Sequence, residues 1–430
     1  MNMQRVYGFL LILIFGLSSG RVLGECDQSL EWAIEETFRT NPNALRSESE
    51  IRQARATLLQ AFGGFLPSLD MSTLAGWEKI NPPGIQPTTN YKVTDSGITL
   101  IQPLFTGFRT FHLVKQQNSL LDASKFREAF TKETLAAQVA SVYLTTLLNQ
   151  KEKELAIENV KAHEETLRKI RNRYEGGAGD RTEVDLAMAR LDEAKVSLLG
   201  IERSLEQTKA AFGRIVGYLP GELWIPSIPL LPESLTAARN LAFCHNPTLL
   251  AANAELQASI ENIGIAKSRF YPEVSFEYSA NSQSNLGGVR GRERTRRGLF
   301  VASYNLFRGF QDYAEVRQAE EISMQTAHTR NEVRREVVQT LTSTWEAIDK
   351  SLKQAEELKA REEATKALLE GYIKQFTLGR RSLLNVLDIQ RELFNTRISK
   401  LQAEFSAFID TYSLYATIGL LRQELALSSS

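Results

Sequence analysis

Reactive side chains are few in this sequence and poorly spaced for chemistry. The four histidines, His112, His163, His245 and His328, stand far apart, and no HExxH, nucleotide-loop or GxSxG string joins a ligand or nucleophile to a partner. Gly176, Gly177 and Gly179 make a glycine-rich stretch, yet it neither follows a strand nor completes a phosphate loop. It reads as a turn between helices. Glu164 and Glu165 are adjacent carboxylates, the raw material of acid–base catalysis, but lysines and arginines surround them as on a solvated helix face. Cys26 and Cys244 do not make a disulfide framework, and the sequence leaves open whether they pair. No catalytic, cofactor-binding or metal-binding set is predicted.

Charge removes another class. The 51 basic and 51 acidic residues cancel, and no basic stripe carries interleaved aromatics, so nucleic acid is not an expected partner. The 43% hydrophobic and 24% charged residues are an ordinary folded balance. Arg5 and the apolar run 6–17 predict a secretion signal, too short to span a membrane, with Val22, Leu23 and Gly24 at the cleavage positions. The residue before Cys26 is Glu25, where lipid attachment needs a small side chain, so an unlipidated start near Glu25 is expected.

What remains is architecture, and it is written twice. NPNAL at 41–45 matches NPTLL at 246–250, and FLPSL at 65–69 matches FYPEV at 270–274, both offset by 205. PLFTGFR at 103–109 matches NLFRGFQ at 305–311, and Tyr174 and Gly177 match Phe376 and Gly379, all offset by 202. A constant order with a small slip is what duplication leaves. Each half predicts a short helix, an Asn-capped helix with proline at its first position, two strands of period two, and then a long helical run. The expected organisation is a signal peptide at 1–24, a first repeat at 25–219 with strands within about 66–104, and a connector at 220–232 holding four prolines. A second repeat follows at 233–424 with strands within about 271–306, then a tail at 425–430.

From 110 to 175 there is neither proline nor glycine, which as a helix is roughly 100 Å, longer than a globular core needs. Val338, Leu341, Trp345, Ile348, Leu352 and Ala355 step by three and four, as do Phe394, Ile398, Leu401, Phe405, Phe408, Tyr412, Tyr415 and Gly419. That period makes helices supercoil around neighbours, and the aromatic positions read as packing seam. The strands have one apolar and one polar face. If the apolar faces meet lipid, the sheet must close, and four strands are too few, so a barrel would be shared between subunits.

The duplicated NP, FLP and LFxGF blocks, the RYEGG turn at 173–177, and the segment FTLGRRSLLNVLDIQRELFNTR at 376–397 resemble the TolC family of outer-membrane efflux and secretion channels. The likeness covers nearly all of the mature chain, and the final block is most similar to the type I secretion branch, including components that export large adhesins. The resemblance implies a mainly α fold with membrane β: a homotrimer whose repeats build a 12-stranded β-barrel continued by a 12-helix coiled-coil α-barrel. It places the protein in the outer membrane of a Gram-negative bacterium, reaching into the periplasm. The implied partners are a periplasmic adaptor, an inner-membrane ABC transporter or other pump, and outer-membrane lipid.

The function expected is an exit duct for an inner-membrane pump, in type I protein secretion. Drug or small-molecule efflux is the alternative, and a periplasmic coiled-coil adaptor or scaffold a lesser one. An exported enzyme would need a polar constellation that is missing. The resemblance also places acidic rings that narrow the periplasmic mouth at Asn385 and Asp388, of which only Asp388 is acidic here. It sets Arg381 against Thr182 and Phe376 near Glu183, where polar links hold the tunnel shut; Phe376 cannot donate a hydrogen bond. Arg381 is therefore the candidate latch. Finally, the loops at 79–90 and 282–294 join strands at the end remote from the long helices and are expected outside the cell. Arg290, Arg292, Arg294, Arg296 and Arg297 at the second loop would either pair with lipopolysaccharide phosphates or simply be solvated.

Overall fold

A computed structural model describes residues 29–81 and 88–425. The expected signal peptide, Cys26, residues 82–87 of the first strand loop and most of the tail lie outside these described residues. Cys244 is exposed.

The two halves repeat one plan. The first contains α1 (Leu30–Thr40), α2 (Pro42–Gly63), β1 (Ser68–Ile80), β2 (Thr89–Thr106), α3 (Arg109–Glu175) and α4 (Arg181–Val216). The second contains α5 (Leu235–His245), α6 (Pro247–Lys267), β3 (Glu273–Ser284), β4 (Arg292–Ser303), α7 (Gln311–Thr377) and α8 (Leu383–Ile418), closed by the short α9 (Leu421–Glu424). Helices α3 and α7 are each 67 residues long, and α4 and α8 are each 36. Among the described residues no helix is long and apolar enough to cross a membrane.

The Asn-Pro motifs do two jobs at once. Asn41 accepts from the Asn43 N–H and Asn246 from the Leu249 N–H, capping α2 and α6, with proline at the first helical position as expected. Their amides also reach across the fold: Asn41 donates to the Ile215 carbonyl at 3.1 Å and Asn246 to the Thr417 carbonyl at 2.7 Å. Each motif thus fastens the start of one helix to the end of α4 or α8. Those ends fall at Gly217 and Gly419, where φ is +94° and +90°.

The strand-to-helix corners explain the repeated LFxGF. Gly107-Phe108 and Gly309-Phe310 are consecutive left-handed residues, with φ of +60° and +68° in one and +59° and +62° in the other. Phenylalanine pays steric strain there, and ring contacts hold it: Phe108 lies edge-on to Phe105 and Tyr271, and Phe310 edge-on to Phe307. One difference from expectation appears. β2 runs through its PLF to Thr106, but β4 ends at Ser303, so Asn305, Leu306 and Phe307 are irregular. The cause is partnering: Phe105 and Thr106 pair with Val274 and Glu273, whereas β4 is an edge strand.

The helices pair as hairpins, α3 with α4 and α7 with α8, and α6 lies between α3 and α7. The main core lies midway along the rods, where Leu30, Ile34, Tyr143, Phe212, Phe405 and Tyr412 are buried together. Leu341, Ile348 and Ala355 are buried at heptad spacing, while Leu352 from the same expected seam stays half exposed. The connector between repeats lies along this core. The Tyr412 hydroxyl donates to the Ser227 carbonyl at 2.9 Å, and Tyr143 bonds both the carbonyl and the N–H of Trp224. Tyr412, expected only as packing seam, therefore also tethers the connector.

The sheet is a simple antiparallel meander, β1-β2-β3-β4, with β1 and β4 at open edges.

Candidate functional site

The far tip of the helices, opposite the sheet, holds the residues expected to gate a tunnel. Both hairpins turn there by the same device. Gly177 and Gly379 take φ of +77° and +70°, and the next residues, Ala178 and Arg380, return N–H bonds to Arg173 and Gln375. Glycine is required because a left-handed residue ends each rod. The glycine-rich stretch is a helix-to-helix turn, as its sequence predicts. Beneath the turns, Ile170, Ala187, Leu383 and Leu387 form a small buried cluster joined by Leu167, Val184 and Phe376.

Of the expected gate residues, the structure brings together some and separates others. Phe376 packs on that cluster with the Arg173 guanidinium over its ring at 4.8 Å. Arg381 does not reach Thr182 within the chain. It lies over the Tyr372 ring at 4.0 Å and donates to the Gln375 side chain at 3.2 Å, both on the preceding helix. A flexible arginine next to an aromatic face and an amide on its own hairpin satisfies itself locally. Thr182 lies in the first turn of α4, its N–H held by the capping Asp180 carboxylate, and Glu183 follows it. Asn385 accepts from the Ser382 hydroxyl at 2.7 Å.

Asp388 is ion-paired within the chain. Arg190 of α4 donates to its carboxylate at 2.9 Å, and Arg391 stands 3.8 Å away. The same Arg190 donates to Glu193 at 2.8 Å, and Arg391 approaches Glu193 at 3.7 Å. Two cations and two carboxylates therefore form a neutral lattice joining α4 to α8 across the two repeats. The hydrogen bond from Arg190 holds the Glu193 carboxyl below its usual range. Arg190 is only 19% exposed on its side chain, so this link is less screened than an ordinary surface pair. His163 of α3 is buried beside it with its Nδ1 unpartnered, and burial pushes its pKa down. Sequence reasoning missed Arg190, Glu193 and Arg391, because each looks like one more charge on a charged helix. Only the approach of α4 to α8 singles them out.

A tip tied by ion pairs, long hairpin rods and a sheet with an apolar face define a channel-forming subunit. The chain belongs to the outer membrane efflux protein family, whose sequence profile matches residues 33–218 and 238–420 in two copies. It is 24% identical over 409 residues to the outer membrane efflux protein BepC of Brucella suis, covering 94% of this chain and 88% of that one. It is 26% identical over 315 residues to the alkaline protease secretion protein AprF of Pseudomonas aeruginosa, covering 70% and 64%. The solved channel CusC superposes with a TM-score of 0.82 over 91% of this chain and 92% of its own, at 18% identity. The resemblance to the TolC family therefore holds, together with the outer-membrane location and the barrel-and-tunnel fold class. The protein is an outer-membrane efflux channel and not an enzyme.

Proposed function

We propose that three copies of this chain form the exit duct of a tripartite export system, fed by a periplasmic adaptor and an inner-membrane pump, and that its cargo is protein. The observation that carries the duct is the sheet: four strands with two open edges and an apolar outer face, joined rigidly to rods of roughly 100 Å. An open edge has no place in lipid, and four strands fall short of the smallest closed barrels. Three copies complete one. The Arg190–Asp388 link would then stand three times around the mouth and hold it narrow.

Protein cargo, as in type I secretion and with large adhesins as one candidate, is supported by the segment 376–397 and by the secretion role in AprF's name. Small-molecule efflux is the second reading, favoured by the name of BepC. Membership of the family removes the periplasmic scaffold alternative. Deleting the gene and comparing culture supernatants with drug susceptibility separates the two cargo readings. Loss of a large secreted protein with unchanged susceptibility is expected. An unchanged supernatant with drug hypersensitivity would make the duct a small-molecule one.

A further inference from the structure

The strand register sorts the charges of the sheet by face. Residues directly opposite in antiparallel strands share a face, so Met71, Ile98, Ala280 and Arg296 form one row, and Thr73, Ser96, Ser282 and Arg294 the next. On the other face lie Asp70, Glu78, Asp95, Glu273, Glu277 and Glu293, which are all the acidic residues of the four strands. The first face holds none of them, yet it holds Lys79, Lys92, Arg292, Arg294 and Arg296. Of the basic strand residues only Arg297 lies on the acidic face.

This segregation fixes which side is which. The acid-bearing face cannot meet hydrocarbon, and its Val93 and Gly97 are buried. The other face is apolar toward the helices: Leu69 is 69% exposed, Met71 76% and Phe300 77%. Its basic residues cluster toward the end remote from the helices, beside Trp77, which pairs with Lys92. An aromatic ring at the edge of an apolar band, followed by cations, marks a membrane–water boundary. At this end of the barrel the boundary is the outer leaflet.

Among the described residues these arginines make no ion pair. The Arg294 and Arg296 side chains have, among the described residues, neither ion pair nor hydrogen bond, and the Arg292 side chain donates only to the Ser284 hydroxyl at 3.4 Å. Residues 82–87, from the neighbouring loop, contain no acid. A shallow groove on this face runs from Met71, Ile98 and Ala280 up to Arg294 and Arg296, passing the hydroxyls of Ser96 and Ser282. Its apolar floor suits an acyl chain and its guanidinium end a phosphate, which arginine binds as a planar fork.

We infer that Arg292, Arg294 and Arg296, with Lys92, form a binding site for the phosphorylated glucosamine headgroup of lipopolysaccharide, with an acyl chain in the groove below. The site lies on the lipid side of the sheet, so it is independent of the duct's cargo and of the tip.

The test uses purified full-length protein in detergent, titrated with bisphosphorylated lipid A, its dephosphorylated form, or phosphatidylglycerol, with bound lipid counted by native mass spectrometry. Bisphosphorylated lipid A is expected to bind at least about tenfold more tightly than either comparison lipid, as expected where charge-assisted bonds are gained. Combined Arg292→Ser, Arg294→Ser and Arg296→Ser should abolish that preference, while Arg297→Ser, on the lumen face, should keep it. Equal binding of the three lipids, or equal loss in Arg297→Ser, would overturn the site. If the triple variant does not assemble, Arg294→Ser alone and the wild-type lipid comparison decide. Channel conductance should be unchanged in these variants, so failure here leaves the duct reading standing.

Discussion

Gly107 and Gly309 hold the same corner of the two repeats, but under different constraints. A Cβ on Gly107 would stand 2.5 Å from the Ser268 carbonyl oxygen, whereas one on Gly309 would meet nothing within 4 Å. Alanine at Gly309 should therefore cost only the left-handed strain, about 1–2 kcal/mol. Alanine at Gly107 should cost that plus a backbone clash, and thermal unfolding should rank Gly107→Ala well below Gly309→Ala. Equal losses would contradict the assigned contact. Glu133 on α3 offers a second test. It is buried, accepts the N–H groups of Leu421 and Arg422, and burial raises its pKa from 4.5 to about 7. The fold thus keeps a proton that the unfolded chain releases near 4.5, so this stability is full below that pH and is lost as pH rises through 7. The full shift amounts to on the order of 3 kcal/mol per subunit. Melting curves of Glu133→Gln should lack that fall between pH 4.5 and about 7; a variant with the wild-type slope would remove Glu133 as its source. At this scale the sequence made the caps and the glycine-rich turn between helices legible, because helix ends and left-handed turns demand particular residue types. It hid Glu133 and Arg190, whose roles depend on which distant helix comes alongside.

The long helices were legible because no proline interrupts either 67-residue run and α3 has no glycine, and the repeat doubled every signal. The end of β4 was not, because strand length at an edge depends on a neighbour outside the chain. The tyrosines on α8 show the same limit: their spacing gave the seam, but only the fold shows the connector beneath their hydroxyls. Tyr412→Phe should leave the Ser227 carbonyl without its donor and destabilise by about 1 kcal/mol, read as faster proteolysis within residues 220–232. Unchanged cleavage would mean that packing alone holds the segment. At the tip the elements matter more than the single residues. Arg381 is tied to its own hairpin, while Arg190 joins α4 to α8, so Arg190→Ser should loosen the mouth and Arg381→Ser should not.

The subunit is unfinished as it stands. Its sheet has two open edges, and apolar residues such as Val196, Leu199 and Leu384 are exposed along α4 and α8, which gives the rods further faces for neighbours. A closed barrel with a continuous tunnel satisfies both at once, and the tip is where such a tunnel must narrow. Single-channel recording in planar bilayers tests that account most directly. Purified wild-type protein should give a small, steady conductance, and Arg190→Ser combined with Arg391→Ser should raise it several-fold, with Arg381→Ser close to wild type. Conductance that is absent from all three proteins, or identical in wild type and the double variant, would contradict a duct closed by the α4–α8 ion pairs.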